Sequence, residues 1–166
     1  YGPQERLLAS ANLTSDMQNF LADENTTIFA YQNIKEQRIQ RKFGTLDRSY
    51  RDEVVNVYSL NSDFSKDLSE RLALHYGVEF VFNTVNSSAI GEVLEVLGND
   101  IIGFTDTFAV QSRYPDGGSS YNSQAAYIDF KWNSSDKSVF NLGLRYTTTQ
   151  LEALWLDQTF VEVPQT

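Results

Sequence analysis

The stretch RLALHYGVEFVFN, residues 71–83, alternates between apolar and mixed side chains with a period of two. Apolar side chains occupy every second position, namely Leu72, Leu74, Tyr76, Val78, Phe80 and Phe82. His75, Glu79 and several small residues occupy the positions between them. Successive side chains of a β-strand leave opposite faces of the sheet, so this pattern predicts a strand with one face that is apolar throughout.

The same alternation recurs along the chain and predicts about six strands, at residues 7–14, 26–42, 58–64, 71–83, 125–132 and 139–147. The second of these is assigned by its β-branched and aromatic content rather than by a clean separation of faces. The apolar rows of the last two strands hold Ile128, Phe130, Trp132, Phe140, Leu142, Leu144 and Tyr146. Only segment 89–99 has a competing helical spacing, with Gly98 as its cap. The spacing does not make a convincing helix, and the chain is predicted to be all-β.

The predicted strands are long and their connections are uneven. Residues 71–85 span more than twice the five or six residues of a typical soluble strand, whereas a tilted transmembrane strand needs about nine to eleven. Short connections alternate with long ones, the short ones at 21–25, 65–70 and 133–137 and the long ones at 43–50, 86–120 and beyond Trp155. Long strands with this alternation of loops are typical of an outer-membrane β-barrel.

In the membrane interpretation the apolar rows face lipid, and the polar rows face the barrel lumen. The predicted lumen-facing residues are Asp63, His75, Glu79, Asp129 and Arg145. The alternative is a soluble β-barrel or sandwich that binds a ligand, in which the same apolar rows face inward. A third interpretation is a piece of a passive porin-like barrel.

Composition excludes several functional classes. The chain has 13 Lys+Arg against 22 Asp+Glu, a net charge of −9, which argues against nucleic-acid binding. It has no cysteine and one histidine, so neither a thiolate metal site nor a two-histidine zinc site is expected. No nucleophile elbow, P-loop or dinucleotide motif is present. The many carboxylates leave a carboxylate-pair glycosidase open, but no spacing indicates one. We therefore predict no enzyme activity, no catalytic residue, no metal and no cofactor.

Two stretches contain candidate ligand contacts. The basic stretch KEQRIQRK, residues 35–42, includes Arg38 and Arg41, which would attract an anionic ligand or contact anionic lipid headgroups. In RYPDGGS, residues 113–119, the side chains Arg113, Tyr114 and Asp116 would line an extracellular mouth. A structural turn that returns the chain to its strand already explains the Pro and Gly residues of that stretch, and it is the favoured interpretation.

The stretch RYPDGGSSYNSQAAYIDFKWNSSDKSVFNLGLRY, residues 113–146, resembles the barrel of TonB-dependent outer-membrane receptors. Upstream, YGPQERLLASANL, IFAYQNIKEQRIQRKFG and the stretches DEVVNVYSLNSDFSKDL and LHYGVEF also resemble that family, in the same order. The resemblance covers most of residues 1–155. It depends on the ordered set, since no single motif in it is diagnostic.

The resemblance implies a barrel of about twenty-two strands in the outer membrane of a Gram-negative bacterium, closed by a plug domain. Such receptors import scarce nutrients such as iron–siderophores, haem, cobalamin or glycans, with energy from the inner-membrane TonB complex. Residues 1–166 show neither a plug nor a TonB box, and about six strands cannot close a barrel, so the chain is predicted to be a barrel fragment. Its expected partners are the rest of the barrel, the plug, outer-membrane lipid, a small nutrient and, through segments outside this chain, TonB. The short connections would then face the periplasm and the long ones the exterior.

Overall fold

A computed structural model, which describes residues 2–156, shows a single antiparallel sheet of seven strands. The strands are β1 (Gln4–Asp16), β2 (Glu24–Arg41), β3 (Asp47–Ser69), β4 (Leu72–Leu97), β5 (Asp100–Phe108), β6 (Ser119–Ser135) and β7 (Ser138–Ala153). The all-β prediction is confirmed. Within the described residues no helix is long and apolar enough to cross a membrane.

The strands follow the order β1-β2-β3-β4-β6-β7, and β5 pairs with β4 alone. One side of β4 is shared between two partners, because its first part, Leu72–Val85, pairs with β6 and its last part, Gly91–Leu97, pairs with β5. The sheet is open, since β1 and β7 each have one side without a partner strand among residues 2–156.

One expectation about the region after residue 85 was wrong. Residues 2–156 form seven strands rather than about six, because the predicted long connection at 86–120 contains the end of β4 and all of β5. Segment 89–99 is extended despite its helical spacing, and Gly98, with a φ of 65°, lies in the tight turn between the paired residues Leu97 and Asp100. Pairing with β3 and β5 satisfies the backbone of this segment and overrides the weak helical pattern.

The connections fall into two groups at opposite ends of the sheet. Segments 17–23, 70–71 and 136–137 lie at one end, which we call the short-turn end. Segment 42–46, the β4–β5 turn and residues 109–118 lie at the other, the long-connection end. The predicted alternation of connection lengths is wrong at the first pair, since 17–23 has seven residues and 42–46 has five. Strands extend into most of the other predicted connections, and residues beyond 156 lie outside the described part of the chain.

The register divides the side chains between two faces. Directly opposite residues of an antiparallel pair point to the same side of the sheet. By this rule all the residues predicted to face lipid share one face, here called the apolar face: Leu72, Leu74, Tyr76, Val78, Phe80, Phe82, Ile128, Phe130, Trp132, Phe140, Leu142, Leu144 and Tyr146. The residues predicted to face the lumen share the other, the polar face: Asp63, His75, Glu79, Asp129 and Arg145.

The described residues form almost no hydrophobic core. The buried apolar side chains among them are Ala22, Leu94 and Ala125. On the central strands, Phe80 of the apolar face is 43% exposed, whereas Ser123 of the polar face is 7% exposed. Side chains crowd together on the inside of a curved sheet and spread apart on its outside. The sheet therefore curves with its polar face inward.

Candidate functional site

Residues 109–118, which we call the strap, leave β5 and cross the polar face at the long-connection end. The Arg51 Nε donates to the carbonyl of Gln111 at 3.0 Å, and the amide of Tyr114 donates to Ser87 Oγ at 3.4 Å. Within the strap, the Ser112 hydroxyl donates to the carbonyl of Tyr114 at 2.6 Å. Arg51 and Ser87 lie on the polar face of β3 and β4, so the strap lies over the inner side of the sheet.

The strap ends in a tight turn that joins it to the end of β7. The amide of Gly118 donates to the carbonyl of Pro115 at 3.0 Å, and Gly118 has a φ of 91°, a conformation that glycine adopts without strain. The Gly117 amide donates to the Leu154 carbonyl at 2.9 Å, and the Leu154 amide donates back to Gly118 at 3.0 Å. The structural turn expected from Pro115–Gly118 is therefore present.

Two rows of like charges run across the sheet beneath the strap. Glu36 of β2 lies directly opposite Glu53 of β3, and in the adjacent row Arg38 lies directly opposite Arg51. Like charges in direct opposition destabilise an antiparallel pair. Positive charge placed beside the two glutamates therefore stabilises this part of the sheet.

Arg113 of the strap supplies that charge. Its Nη1 lies 3.7 Å from Glu36 Oε1 and 3.6 Å from Glu53 Oε2, while Arg38 also pairs with Glu36. Glu53 is 3% exposed, and neither of its carboxylate oxygens has a hydrogen-bond partner. A buried carboxylate is costly unless it is paired, so the contact with Arg113 stabilises the strap and the row beneath it together.

The structure brings together only some of the predicted ligand contacts. Arg38, Arg113 and Tyr114 lie close to one another on the polar side, with the Arg113 guanidinium 5.7 Å from the centre of the Tyr114 ring. Arg41, the last residue of β2, lies on the opposite face from Arg38. Asp116 accepts a hydrogen bond from the amide of Leu156 at 3.0 Å and so holds the turn.

Sequence reasoning did not select Glu36, Arg51 or Glu53. Glu36 lies in the predicted strand whose two faces were not cleanly separable, and Arg51 and Glu53 precede the predicted strand 58–64. Their proximity depends on the β2–β3 register. The charges themselves were visible, but no spacing along the chain indicated that they meet.

Farther along the polar face, one ion pair joins β7 to β4 across the intervening strand β6. Arg145 of β7 reaches across β6 to Glu79 of β4, with Nη2 2.9 Å from Oε1, and its guanidinium lies 5.7 Å from the Tyr127 ring centre. The small side chain of Ala125, which lies directly opposite Glu79 on β6, leaves room for this contact. Tyr127 in turn lies against Gly77, where a Cβ would lie 2.6 Å from the carbonyl oxygen of Ser62.

The short-turn end of the polar face holds an open, acidic cavity of about 400 Å³. Its lining includes Glu24, Asp63 and His75, and His75 lies directly opposite Asp129. Among residues 2–156 no group of three His, Asp or Glu side chains is placed to hold a metal ion. The buried Oδ1 atoms of Asn61 and Asn83 on the same face have no hydrogen-bond partner in the structure. This face therefore presents charges and unsatisfied acceptors to whatever fills its concave side.

The apolar face carries aromatic contacts toward both ends of its band. Toward the short-turn end the ring centroids of Phe64 and Tyr76 are 5.1 Å apart, and those of Trp132 and Phe140 are 5.8 Å apart. Farther along the strands, the Tyr58 ring centroid lies 4.9 Å from that of Tyr31 and 6.5 Å from that of Phe82. The rows between these two groups hold both aliphatic residues, such as Leu60 and Val78, and the aromatic residue Phe80.

The turn 17–23 is fastened to the adjoining strands at the short-turn end. The hydroxyl of Tyr76 donates to the carbonyl of Leu21 at 2.8 Å. Lys66 Nζ donates to Asp23 Oδ1 at 2.6 Å, and the amide of Asp67 donates to Asp23 Oδ2 at 2.8 Å. The hydrogen bond from Lys66, followed by that from Asp67, lowers the pKa of the Asp23 carboxyl below its usual 3.8.

Comparison of the chain with protein-family models, with curated proteins and with solved structures found no match.

Proposed function

We propose that this chain forms part of the barrel wall of a TonB-dependent outer-membrane receptor that imports a scarce nutrient. The observation that carries the proposal is the exposed apolar face at the centre of a sheet of long strands. Phe80, Phe82 and Trp132 of that face are 43%, 43% and 52% exposed, respectively. The resemblance in sequence supplies the receptor family, and the two faces support the placement in a membrane.

An apolar environment on that face accounts for the absence of a core. A soluble sheet protein buries its apolar face against a second layer, and residues 2–156 contain no second layer. A contiguous exposed apolar patch marks contact with a membrane or with another protein. Long strands that alternate between apolar and polar residues are typical of a strand wall in lipid.

The open edges fit a wall that continues into further strands. A bilayer does not tolerate unpaired backbone groups at a sheet edge, so β1 and β7 would each pair with another strand of the same barrel. The concave polar face would then line the interior, facing the plug and the imported nutrient. A passive porin-like barrel would use the same wall without a plug or coupling to TonB.

Spin labels along β4 test the placement of the two faces. The chain has no cysteine, so single cysteines can be introduced at each position of 72–83 in a full-length protein free of other cysteines. In native outer membranes we expect collisions with oxygen to be high at Leu74, Val78 and Phe80, and collisions with a water-soluble nickel complex to be high at His75 and Glu79. Even-numbered positions that neither reagent reaches would instead indicate a soluble protein with a packed core.

Energy dependence tests the receptor class against a passive barrel. Cells that carry the full-length gene should accumulate the nutrient in a manner abolished both by a protonophore and by loss of TonB. Uptake that persists under both treatments, from a protein that passes the spin-label test, would favour the porin-like alternative.

A further inference from the structure

We infer that the strap is a latched cover on the polar face, and that the ion pairs of Arg113 with Glu36 and Glu53 are the latch. Besides these ion pairs, two hydrogen bonds join the strap to the sheet face. The two hydrogen bonds to Arg51 and Ser87 are 3.0 and 3.4 Å long, and the second exceeds the usual range. Release of the Arg113 guanidinium therefore removes both ion pairs and leaves these two hydrogen bonds as the polar contacts between the strap and the sheet face.

The ion pairs of the latch are longer than usual charge-assisted hydrogen bonds. The Arg113 nitrogen lies 3.7 and 3.6 Å from the two carboxylates, whereas such hydrogen bonds are usually about 2.7–2.9 Å long. The Arg113 side chain is 35% exposed, so water and solutes reach it. Contacts of this length and exposure hold the strap only weakly.

The two carboxylates beneath the strap favour its closure through their ion pairs and favour its release because one of them is buried. Glu53 is buried and has no hydrogen bond, and it lies opposite a second carboxylate. Opening the strap would hydrate both glutamates and remove the cost of burying Glu53. The ion pairs and the cost of burying Glu53 therefore oppose each other in the free-energy difference between the closed and open arrangements. A small difference of this kind is the condition for a two-state element.

The consequence of opening rests on the proposed function. If the polar face lines an import path, the strap narrows that path at the long-connection end, and opening widens it. An anionic group that binds Arg113 would have to displace Glu36 and Glu53, so ligand binding and release of the strap would be one event. The latch itself rests on the geometry alone.

Ser87 offers a direct probe of the latch. It is 6% exposed, lies in the same row as Glu36 and Glu53, and accepts the hydrogen bond from the strap. Ser123 is 7% exposed on the same face and has no hydrogen bond to the strap, and so serves as a matched control. Single Ser87→Cys and Ser123→Cys variants of the full-length protein, free of other cysteines, would be labelled with a polar maleimide in native membranes.

We expect Arg113→Gln to raise the labelling rate at position 87 by roughly 1.5- to fivefold, the range expected for partly exposed ion pairs. The rate at position 123 should not change, and Arg113→Lys should give an intermediate rate at position 87. Combining Glu36→Gln with Glu53→Gln should raise the rate at position 87, and adding Arg113→Gln to that pair should raise it no further.

The inference is overturned if Arg113→Gln leaves labelling at position 87 unchanged, or if it raises the rates at positions 87 and 123 equally, which would indicate general loosening. The glutamate variants keep the test usable if Arg113→Gln fails to reach the membrane. Because labelling reports on the strap wherever the sheet resides, its failure is distinguishable from a failure of the spin-label test.

Discussion

The two faces of the same strands differ in how they obtain stability. On the polar face small side chains, ion pairs and the strap bring residues into close contact, so that Ala125 and Ser87 are each 6% exposed. On the apolar face large side chains such as Phe80 and Leu142 remain 43% and 73% exposed. The polar face is stabilised by specific partners within the chain, and the apolar face depends on its surroundings.

The largest expected effect comes from placing a charge on the apolar face. Leu142 and Asn141 are neighbours on β7, both exposed, and they lie on opposite faces. We expect Leu142→Arg to destabilise the full-length protein in lipid vesicles by about 2–4 kcal/mol, and Asn141→Arg by no more than about 1 kcal/mol. Urea-induced unfolding of the folded protein in vesicles measures both.

A change of size at the same position separates lipid from a packed protein partner. Lipid tails adapt to a larger side chain, so Leu142→Phe should be nearly neutral. A cost of about 1–3 kcal/mol for Leu142→Phe would indicate a packed core around Leu142 and would break the contrast between the faces.

The next largest effect concerns the crowding of the polar face. A Cβ at Gly77 would lie 2.6 Å from the carbonyl oxygen of Ser62, so we expect Gly77→Ala to cost about 1–3 kcal/mol. At Gly103 the nearest atom would be 3.9 Å away, and Gly103→Ala serves as the control with little effect. Equal unfolding midpoints for the two variants would show that the polar face is not crowded.

A smaller effect is expected from the ion pair that ties β4 to β7. The Arg145 and Glu79 side chains are 47% and 32% exposed, so water screens their interaction and Arg145→Gln should cost about 0.2–1 kcal/mol. A double-mutant cycle with Glu79→Gln isolates the pair. A coupling energy of zero would mean that Arg145 contributes through its packing on Tyr127 instead.

The smallest effect is a pH dependence at the turn 17–23. Because folding lowers the pKa of Asp23 below 3.8, its contribution is complete above that value and is lost as the pH falls through the lowered pKa. Hydrogen exchange of the Asp67 amide, which donates to Asp23, should therefore quicken in acid relative to an Asp23→Asn variant at the same pH. Parallel exchange in both proteins would contradict this linkage.

The sequence predicted the two faces well because alternation is a local property. His75 and Glu79 were assigned to the opposite side from Phe80 by their position in one strand, and the register agrees. The strap could not be predicted in this way. Its contacts join Arg113 to Glu36, residues far apart in the chain, and they depend on which strands are neighbours.

The unpredicted strand β5 shows a second limit. Segment 89–99 carries a weak helical pattern, and its extended form depends on pairing with β3 and β5. The lipid-facing and lumen-facing assignments remain predictions, because they depend on the surroundings of the sheet.

The division of β4 between two partners separates a fixed part of the chain from an adjustable one. Leu72–Val85 is held in register with β6, while Gly91–Leu97 and β5 form a hairpin that extends beyond it. Adding or removing residues in matched pairs at the Gly98 turn would lengthen or shorten that hairpin without shifting any side chain of the fixed part to the other face. The hairpin is therefore a place where related chains can differ in length, and where an inserted epitope or tag should be tolerated.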